Sequence, residues 1–99
     1  MYDIDQNDPV AMTTLWESVA PRIKAAAINY KNTTGLNEDI EDLVQDGYFA
    51  LLQAIETYNP VQYPDVSFAL WTVIKCKRLW SKYTNNQRSR IKDQQFVAD

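Results

Sequence analysis

The stretch "DLVQDGYFALLQAIETYNP", residues 42–60, decides the fold of this chain. In and around it, apolar or small residues recur at steps of three and four, which is the period of an α-helix with one buried face. These positions are Ile40, Leu43, Val44, Gly47, Leu51, Ile55 and Tyr58. Because the residue before a proline disfavours the helical conformation, Asn59-Pro60 should end the helix. We therefore predict a helix from about Asn37 to residue 59.

A second helix is predicted before it. Asp8 suits an N-cap and Pro9 the first helical position. Apolar residues then follow at helical spacing, at Met12, Leu15, Val19, Ile23, Ala26, Ala27 and Tyr30. Pro21 predicts a kink or a brief break near Val19-Ala20, because proline lacks the amide hydrogen that an interior helical residue donates. We expect residues 31–37 to form a loop, in which Gly35 takes the left-handed conformation that ends a helix.

The third predicted helix begins around Asp65 or Ser67, after a connector at residues 61–66, and runs to about Asn85. Val73, Cys76, Trp80 and Tyr83 form its apolar stripe. Successive side chains are about 100° apart around a helix, so four other residues point away from this apolar stripe. They are Trp71, Lys75, Arg78 and Lys82. The expected fold is an all-α three-helix bundle with a kinked first helix. We divide it into a flexible acidic tail at 1–8, a helical domain at 9–90 and a polar tail at 91–99.

Composition argues against an enzyme. The 99 residues include no histidine and a single cysteine, Cys76, which lies on an apolar stripe. No nucleophile–base pair, phosphate-binding glycine loop or zinc ligand set is present, so we expect neither a cofactor nor a metal. The acidic residues at 38–42 complement the positive end of a helix dipole better than they form a metal site. The lone cysteine and the lack of a long apolar run predict a cytoplasmic protein without a membrane segment.

Charge is distributed unevenly along the chain. Of ten basic residues, seven follow Asp65, whereas all acidic residues except Asp93 and Asp99 lie at or before it. This asymmetry suggests an anionic partner for the carboxyl-terminal part, even though the net charge is −3.

Two surfaces remain open to two readings each. The cationic face of the third helix, headed by Trp71, suits a phosphate backbone with one unstacked base. Equally, it could be a solvated face with Trp71 packed against the connector. The outer face of the middle helix carries Gln45, Asp46, Phe49 and Gln53. It could contact a protein, or Phe49 could pack under the first helix or the connector.

Several motifs together resemble region 2 of the bacterial sigma-70 family of transcription initiation factors. The matching pieces occur in the family's order: "DLVQDG" at 42–47, "LLQAI" at 51–55, "YNP" at 58–60, and Phe68 followed three residues later by Trp71. The stretch "LWESVAPRIKAAAINY" at 15–30 is similar to the preceding family helix, including its internal proline. The resemblance covers about residues 12–90.

The resemblance implies two binding surfaces. The middle helix would dock on the clamp helices of the β′ subunit of RNA polymerase core, through Glu41, Gln45, Asp46, Tyr48, Phe49 and Leu52. The third helix would bind the minus-ten promoter element as a single non-template strand, with a flipped adenine stacked on Trp71. The other residues expected to bind DNA are Ile74, Lys75, Lys77, Arg78, Lys82 and Arg88.

The sequence also departs from the family. Ile74 and Lys75 occupy the positions where many members have a tryptophan pair, and Asp46 replaces the usual glutamate. No segment for the minus-thirty-five element follows, so a longer factor or a second polypeptide would supply it. Two alternatives remain: a polymerase-binding module that inhibits or modulates initiation without recognising promoters, and a generic helical DNA-binding domain.

Overall fold

The computed structural model describes the backbone of residues 1–98 and the side chains of residues 1–86. It contains three helices, α1 (Pro9–Thr34), α2 (Ile40–Thr57) and α3 (Phe68–Ala98), and no strand within residues 1–98. Each helix packs against the other two. The predicted all-α, three-helix architecture is confirmed. No helix in the described part of the chain is long and apolar enough to cross a membrane.

Helix α1 begins and ends as the sequence predicts. The Asp8 carboxylate accepts hydrogen bonds from the amides of Val10 (3.0 Å) and Ala11 (3.3 Å), which have no partner inside the helix. At the other end Gly35 has φ of 67°, and its amide donates to the Lys31 carbonyl at 2.9 Å. The helix continues through Pro21 as one element. Of the kink or brief break predicted near Val19-Ala20, the break is therefore not present, and the helix reaches Thr34, inside the segment predicted as a loop.

The core lies where the three apolar stripes meet. Its fully enclosed members include Ile23 from α1, Leu51 from α2 and Trp80 from α3. At Gly47 the helices approach so closely that an added Cβ would lie 2.7 Å from Cγ2 of Ile23 and 3.6 Å from Sγ of Cys76. Even the methyl group of an alanine would overlap Ile23 of α1, which would have to shift to admit it.

Helix α3 is fixed to α2 by a buried tryptophan. Trp80 is fully buried, and its Nε1 donates to the Leu43 carbonyl at 2.9 Å. Thr72, rather than the predicted Val73, is the buried residue one turn before Cys76. Its hydroxyl donates to the Phe68 carbonyl at 3.0 Å, so the buried polar group has a partner.

The first residues are not the loose tail that we predicted. The Tyr2 amide donates to the Ile55 carbonyl at 2.8 Å, and its ring stacks on Phe68 with centroids 3.9 Å apart. Tyr58 meets both rings edge-on, at 6.0 Å from Tyr2 and 5.4 Å from Phe68. The physical reason is that two apolar side chains, Tyr2 and Ile4, alternate with the acids and pack against the core.

Helix α3 also continues further than predicted. It runs to Ala98, whereas we expected an end near Asn85 and a separate polar tail at 91–99. No glycine or proline follows Phe68, and the segment is rich in glutamine, arginine and lysine. Such residues favour helix even without an apolar stripe, so the loss of periodicity did not mark a helix end.

Candidate nucleic-acid interface and docking face

Trp71 lies in the first turn of α3, and its side chain is half-buried. Its Nε1 donates to Oγ1 of Thr57, the last residue of α2, at 3.0 Å. The Thr57 hydroxyl in turn donates to the Gln53 carbonyl at 2.8 Å. The polar edge of the indole is therefore held against the end of α2, and this bond limits how the ring can rotate.

The connector between α2 and α3 supplies a second aromatic ring. Tyr63 stacks on Trp71 with centroids 5.6 Å apart and planes 23° from parallel. The connector is itself ordered by backbone bonds, from the Tyr63 amide to the Asn59 carbonyl at 3.0 Å and from the Val66 amide to the Tyr63 carbonyl at 3.2 Å. The prediction that Trp71 packs against the connector thus holds for part of its surface, while the ring stays partly exposed.

A cation completes the group around this indole. Nζ of Lys75, one turn further along α3, lies 4.8 Å from the centroid of the Trp71 ring, within cation–π range. We call Thr57, Tyr63, Trp71 and Lys75 the Trp71 cluster. It combines a flat aromatic surface with a positive charge, which is the chemistry that an unstacked base beside a phosphate requires.

Two exposed cations, Lys77 and Arg78, follow the half-buried Ile74 on α3. At about 100° per residue, Arg78 leaves the same side of the helix as Trp71, whereas Lys77 leaves it about 120° away. Among the side chains of residues 1–86, neither cation forms an ion pair with a carboxylate. Both are therefore available to an anionic partner. The predicted contact residue Arg88 lies outside the side chains that the structure describes.

Lys82 and Asp46 are placed differently from our expectation. Nζ of Lys82 lies 3.7 Å from Oδ2 of Asp46 and 4.8 Å from the ring centroid of Tyr83. The Asp46 side chain is only 17% exposed, and the same Oδ2 accepts a 2.5 Å hydrogen bond from the Tyr83 hydroxyl. Asp46 therefore faces α3, and its predicted placement on the outer face of α2 is wrong.

The hydrogen bond to Asp46 also changes the acidity of Tyr83. It raises the pKa of Tyr83 from 10.0 to about 12, with burial and the negative charge of Asp46 adding to the shift. Ionised Tyr83 would put two negative charges in contact, so the neutral phenol is favoured. Burial, with a smaller effect of the Asp46 charge, raises the pKa of the Cys76 thiol to about 12. Cys76 is therefore an unreactive core residue, as predicted.

The other predicted docking residues do share the outer face of α2. Phe49 is 61% exposed and Tyr48 40% exposed. Glu41 and Gln45 are exposed beside them, and Leu52 is half-buried. The reading in which Phe49 packs under α1 or the connector is wrong. We call Glu41, Gln45, Tyr48, Phe49 and Leu52 the docking face.

Trp16 of α1 extends this apolar surface, and sequence reasoning did not select it. Its ring meets Tyr48 edge-on with centroids 5.6 Å apart. A cleft of about 310 Å³ lies on one side of Trp16, bounded by the segment before α1, and an open groove of about 440 Å³ lies on the other, beside Val44. The only sequence signal was an aromatic residue next to the apolar stripe of α1.

The comparison with protein families gives one result. The model of the family described as Sigma-70 region 2 matches residues 15–89. This range contains α1 from Leu15, all of α2, the connector and α3 up to Ser89. No curated protein and no solved structure matches the chain.

Proposed function

The chain belongs to the sigma-70 region 2 family, and its role is therefore sigma-factor-like, in transcription initiation; from this premise we propose that α2 binds RNA polymerase and α3 binds promoter DNA. The docking face would contact the β′ clamp helices of polymerase core. The Trp71 cluster, with Lys77 and Arg78, would hold the non-template strand of the minus-ten element after it has been unpaired.

The observation that carries the DNA-binding part is the joint placement of Trp71, Lys75 and Arg78 on one side of α3. Unpairing and flipping a base costs a few kcal/mol, whereas stacking it on an aromatic ring returns about 1–3 kcal/mol. The stacking energy alone is too small to open a duplex. Phosphate contacts by the cations and anchoring on polymerase must supply the remainder, so binding to the melted strand should be weak without core.

The exposed residues of the docking face support the proposal that α2 binds polymerase. A large exposed phenylalanine surrounded by polar groups is typical of a protein contact. Phe49 and Tyr48 would supply the apolar contact area, while Gln45 and Glu41 would supply polar contacts around it. The family assignment and this exposure favour the same face of α2.

Asp46 and Lys82 take a different role in this proposal. Because both are engaged with each other and with Tyr83, they join α2 to α3 between the two surfaces. Lys82 remains 54% exposed, so it could still approach a phosphate. We expect its substitution to affect DNA binding less than substitution of Lys77 or Arg78.

The experiment separates the two surfaces. Each variant is tested for capture by polymerase core, and for binding of a fluorescent minus-ten non-template oligonucleotide with and without core. Phe49→Ala should lose core binding, whereas Trp71→Ala should keep it and lose the oligonucleotide. Val61→Ala, at a connector position that is 90% exposed, is the control for substitution of an exposed apolar residue.

Salt dependence gives a second readout. If Lys77 and Arg78 each neutralise one phosphate, then replacing either by alanine should reduce the slope of log K against log salt by about 0.7. Lys24→Ala, an exposed lysine on α1, is the matched control and should leave the slope unchanged.

Two other functions predict different results. A module that blocks or modulates initiation would bind core but leave the oligonucleotide free in every condition. A generic duplex binder would prefer double-stranded probe and ignore core. If Phe49→Ala and Trp71→Ala lose the same activity, the proposed division between the two surfaces is wrong.

A further inference from the structure

In the free protein part of the Trp71 ring surface is already covered. The Nε1 edge is bonded to Thr57, Tyr63 is stacked on the ring, and the Lys75 ammonium lies over it. A base that stacks where Tyr63 or Lys75 now lies must therefore displace that group. Which group moves determines how tightly the domain binds a single strand.

The separation of the two rings excludes simple insertion between them. A flat base needs about 3.5–4.0 Å to the ring on either side, so a sandwich needs roughly 7–8 Å between Tyr63 and Trp71. Their centroids are only 5.6 Å apart. Tyr63 must move before a base stacks on the face of Trp71 that it covers.

Lys75 presents a smaller obstacle. Its ammonium is carried on a flexible four-carbon chain, and a phosphate next to the incoming base would attract it away from the ring. Tyr63, by contrast, is held by its own backbone, which bonds to Asn59 on one side and Val66 on the other. Its displacement requires rotation of its side chain or movement of the connector.

We propose that Tyr63 acts as a cap on Trp71, which an incoming unpaired base must displace. The cap keeps the free domain in a low-affinity form. This inference rests on the proposed function, because it assigns the same Trp71 surface to a base.

The test compares Tyr63→Ala with Tyr63→Phe in the 99-residue chain, using fluorescence anisotropy of the single-stranded minus-ten oligonucleotide. Since stacked aromatic pairs are stabilised modestly, loss of the cap should tighten binding about twofold to tenfold. Tyr63→Phe keeps the ring and should bind as the wild type does. Val61→Ala, two residues away in the connector, should also bind as the wild type does.

A double-mutant comparison identifies the site through which Tyr63 acts. In a Trp71→Ala background, Tyr63→Ala should no longer tighten binding, because the indole that Tyr63 covers is absent. Weaker or unchanged binding by Tyr63→Ala in the wild-type background overturns the inference, and so does equal tightening by Tyr63→Phe. If Trp71→Ala itself does not weaken binding, the proposed function fails too, and this result is distinct from a failure of the cap alone.

The cap can also be observed without DNA. Labelling with 5-fluorotryptophan gives one ¹⁹F resonance for each of the three tryptophans, and the Trp71 resonance is assigned by its loss in Trp71→Phe. Tyr63→Ala should shift this resonance and leave that of Trp80 unchanged. In the wild-type protein, oligonucleotide binding should also shift the Trp71 resonance. An unchanged Trp71 resonance in Tyr63→Ala would overturn the inference.

Discussion

Trp71 and Trp80 belong to the same helix but have different environments. They are nine residues apart, which is two and a half helical turns, so their side chains leave opposite faces of α3. Trp80 is fully buried and bonds to a backbone carbonyl of α2. Trp71 is partly exposed and bonds to a side-chain hydroxyl, and its ring contacts a connector. We conclude that position relative to the α2–α3 contact, rather than residue type, separates a core residue from a candidate binding surface.

The largest expected effect comes from substituting the two tryptophans in turn. Trp80→Ala removes a fully buried indole and should lower the free energy of unfolding by about 3–5 kcal/mol. Trp71→Ala should lower it by less, roughly 1–2 kcal/mol, because its side chain is only partly buried at the edge of the core. Urea denaturation followed by circular dichroism measures both. Equal losses of stability in the two variants would show that Trp71 is a core residue like Trp80.

Gly47→Ala tests how closely the interior of the bundle is packed. The new methyl group would meet Ile23 at 2.7 Å, and overpacking of this kind costs about 1–3 kcal/mol. The gain in helix propensity, about 1 kcal/mol, offsets part of this cost. We expect a net loss of stability of about 1 kcal/mol in urea denaturation.

Gln53→Ala is the matched control for Gly47→Ala. It places the same residue at an exposed position of α2, where propensity acts without a steric cost. Its stability should be unchanged or slightly higher. A stabilising Gly47→Ala would contradict the close contact between α1 and α2.

Tyr83→Phe tests the hydrogen bond that joins α3 to Asp46. Loss of a hydrogen bond to a charged group should cost about 1–2 kcal/mol near neutral pH. The pKa of Tyr83 is raised to about 12 in the folded state, so its contribution is fully present below about pH 10 and is lost as the pH rises toward 12. The difference in stability between wild type and Tyr83→Phe should therefore shrink over this range. If the stability difference between wild type and Tyr83→Phe stayed constant from about pH 10 to 12, ionisation of Tyr83 would not be coupled to folding.

The smallest stability effect is expected at Thr57. Its bond to the Trp71 indole is exposed, so Thr57→Val should change the free energy of unfolding by no more than about 0.5 kcal/mol. The ¹⁹F resonance of fluorinated Trp71 should nevertheless shift, because the indole loses its acceptor. Thr57→Ser keeps the hydroxyl and should retain the resonance. A large stability loss would mean that the Trp71 end of α3 is as tightly held as the Trp80 end.

The core could be predicted because it follows the helical period. Leu43, Gly47 and Leu51 on α2, and Cys76 and Trp80 on α3, are spaced for one buried face, and the structure encloses them all. The helical period did not predict that Thr72 is buried. A polar residue is expected to be exposed, and its hydrogen bond to the Phe68 carbonyl cannot be seen in the sequence. Periodicity also failed at the end of α3, where helix continues without an apolar stripe.

The site was predicted less completely, since its contacts join residues far apart in the chain. The partner of Asp46 is Tyr83, 37 residues later, and an acidic residue on a helix is ordinarily read as solvent-facing. The contacts of Trp71 with Tyr63 and Thr57 depend on the path of the connector, which no spacing rule specifies. The exposure of Phe49 was one of two open readings of the sequence, whereas Arg78 was placed by the helical period and Lys77 by the resemblance to sigma-70 region 2.

The docking of Tyr2 has a consequence for the order of folding. Its contacts with Ile55 and Phe68 close a loop that contains nearly two-thirds of the chain, and contacts of such long range form late because of the entropy of loop closure. We expect the two ends of the connector to be secured only after α1, α2 and α3 have assembled. A chain without its first few residues would keep Trp71, Tyr63 and the contact between Tyr58 and Phe68, but it would lose the Tyr2 ring that packs against both ends of the connector.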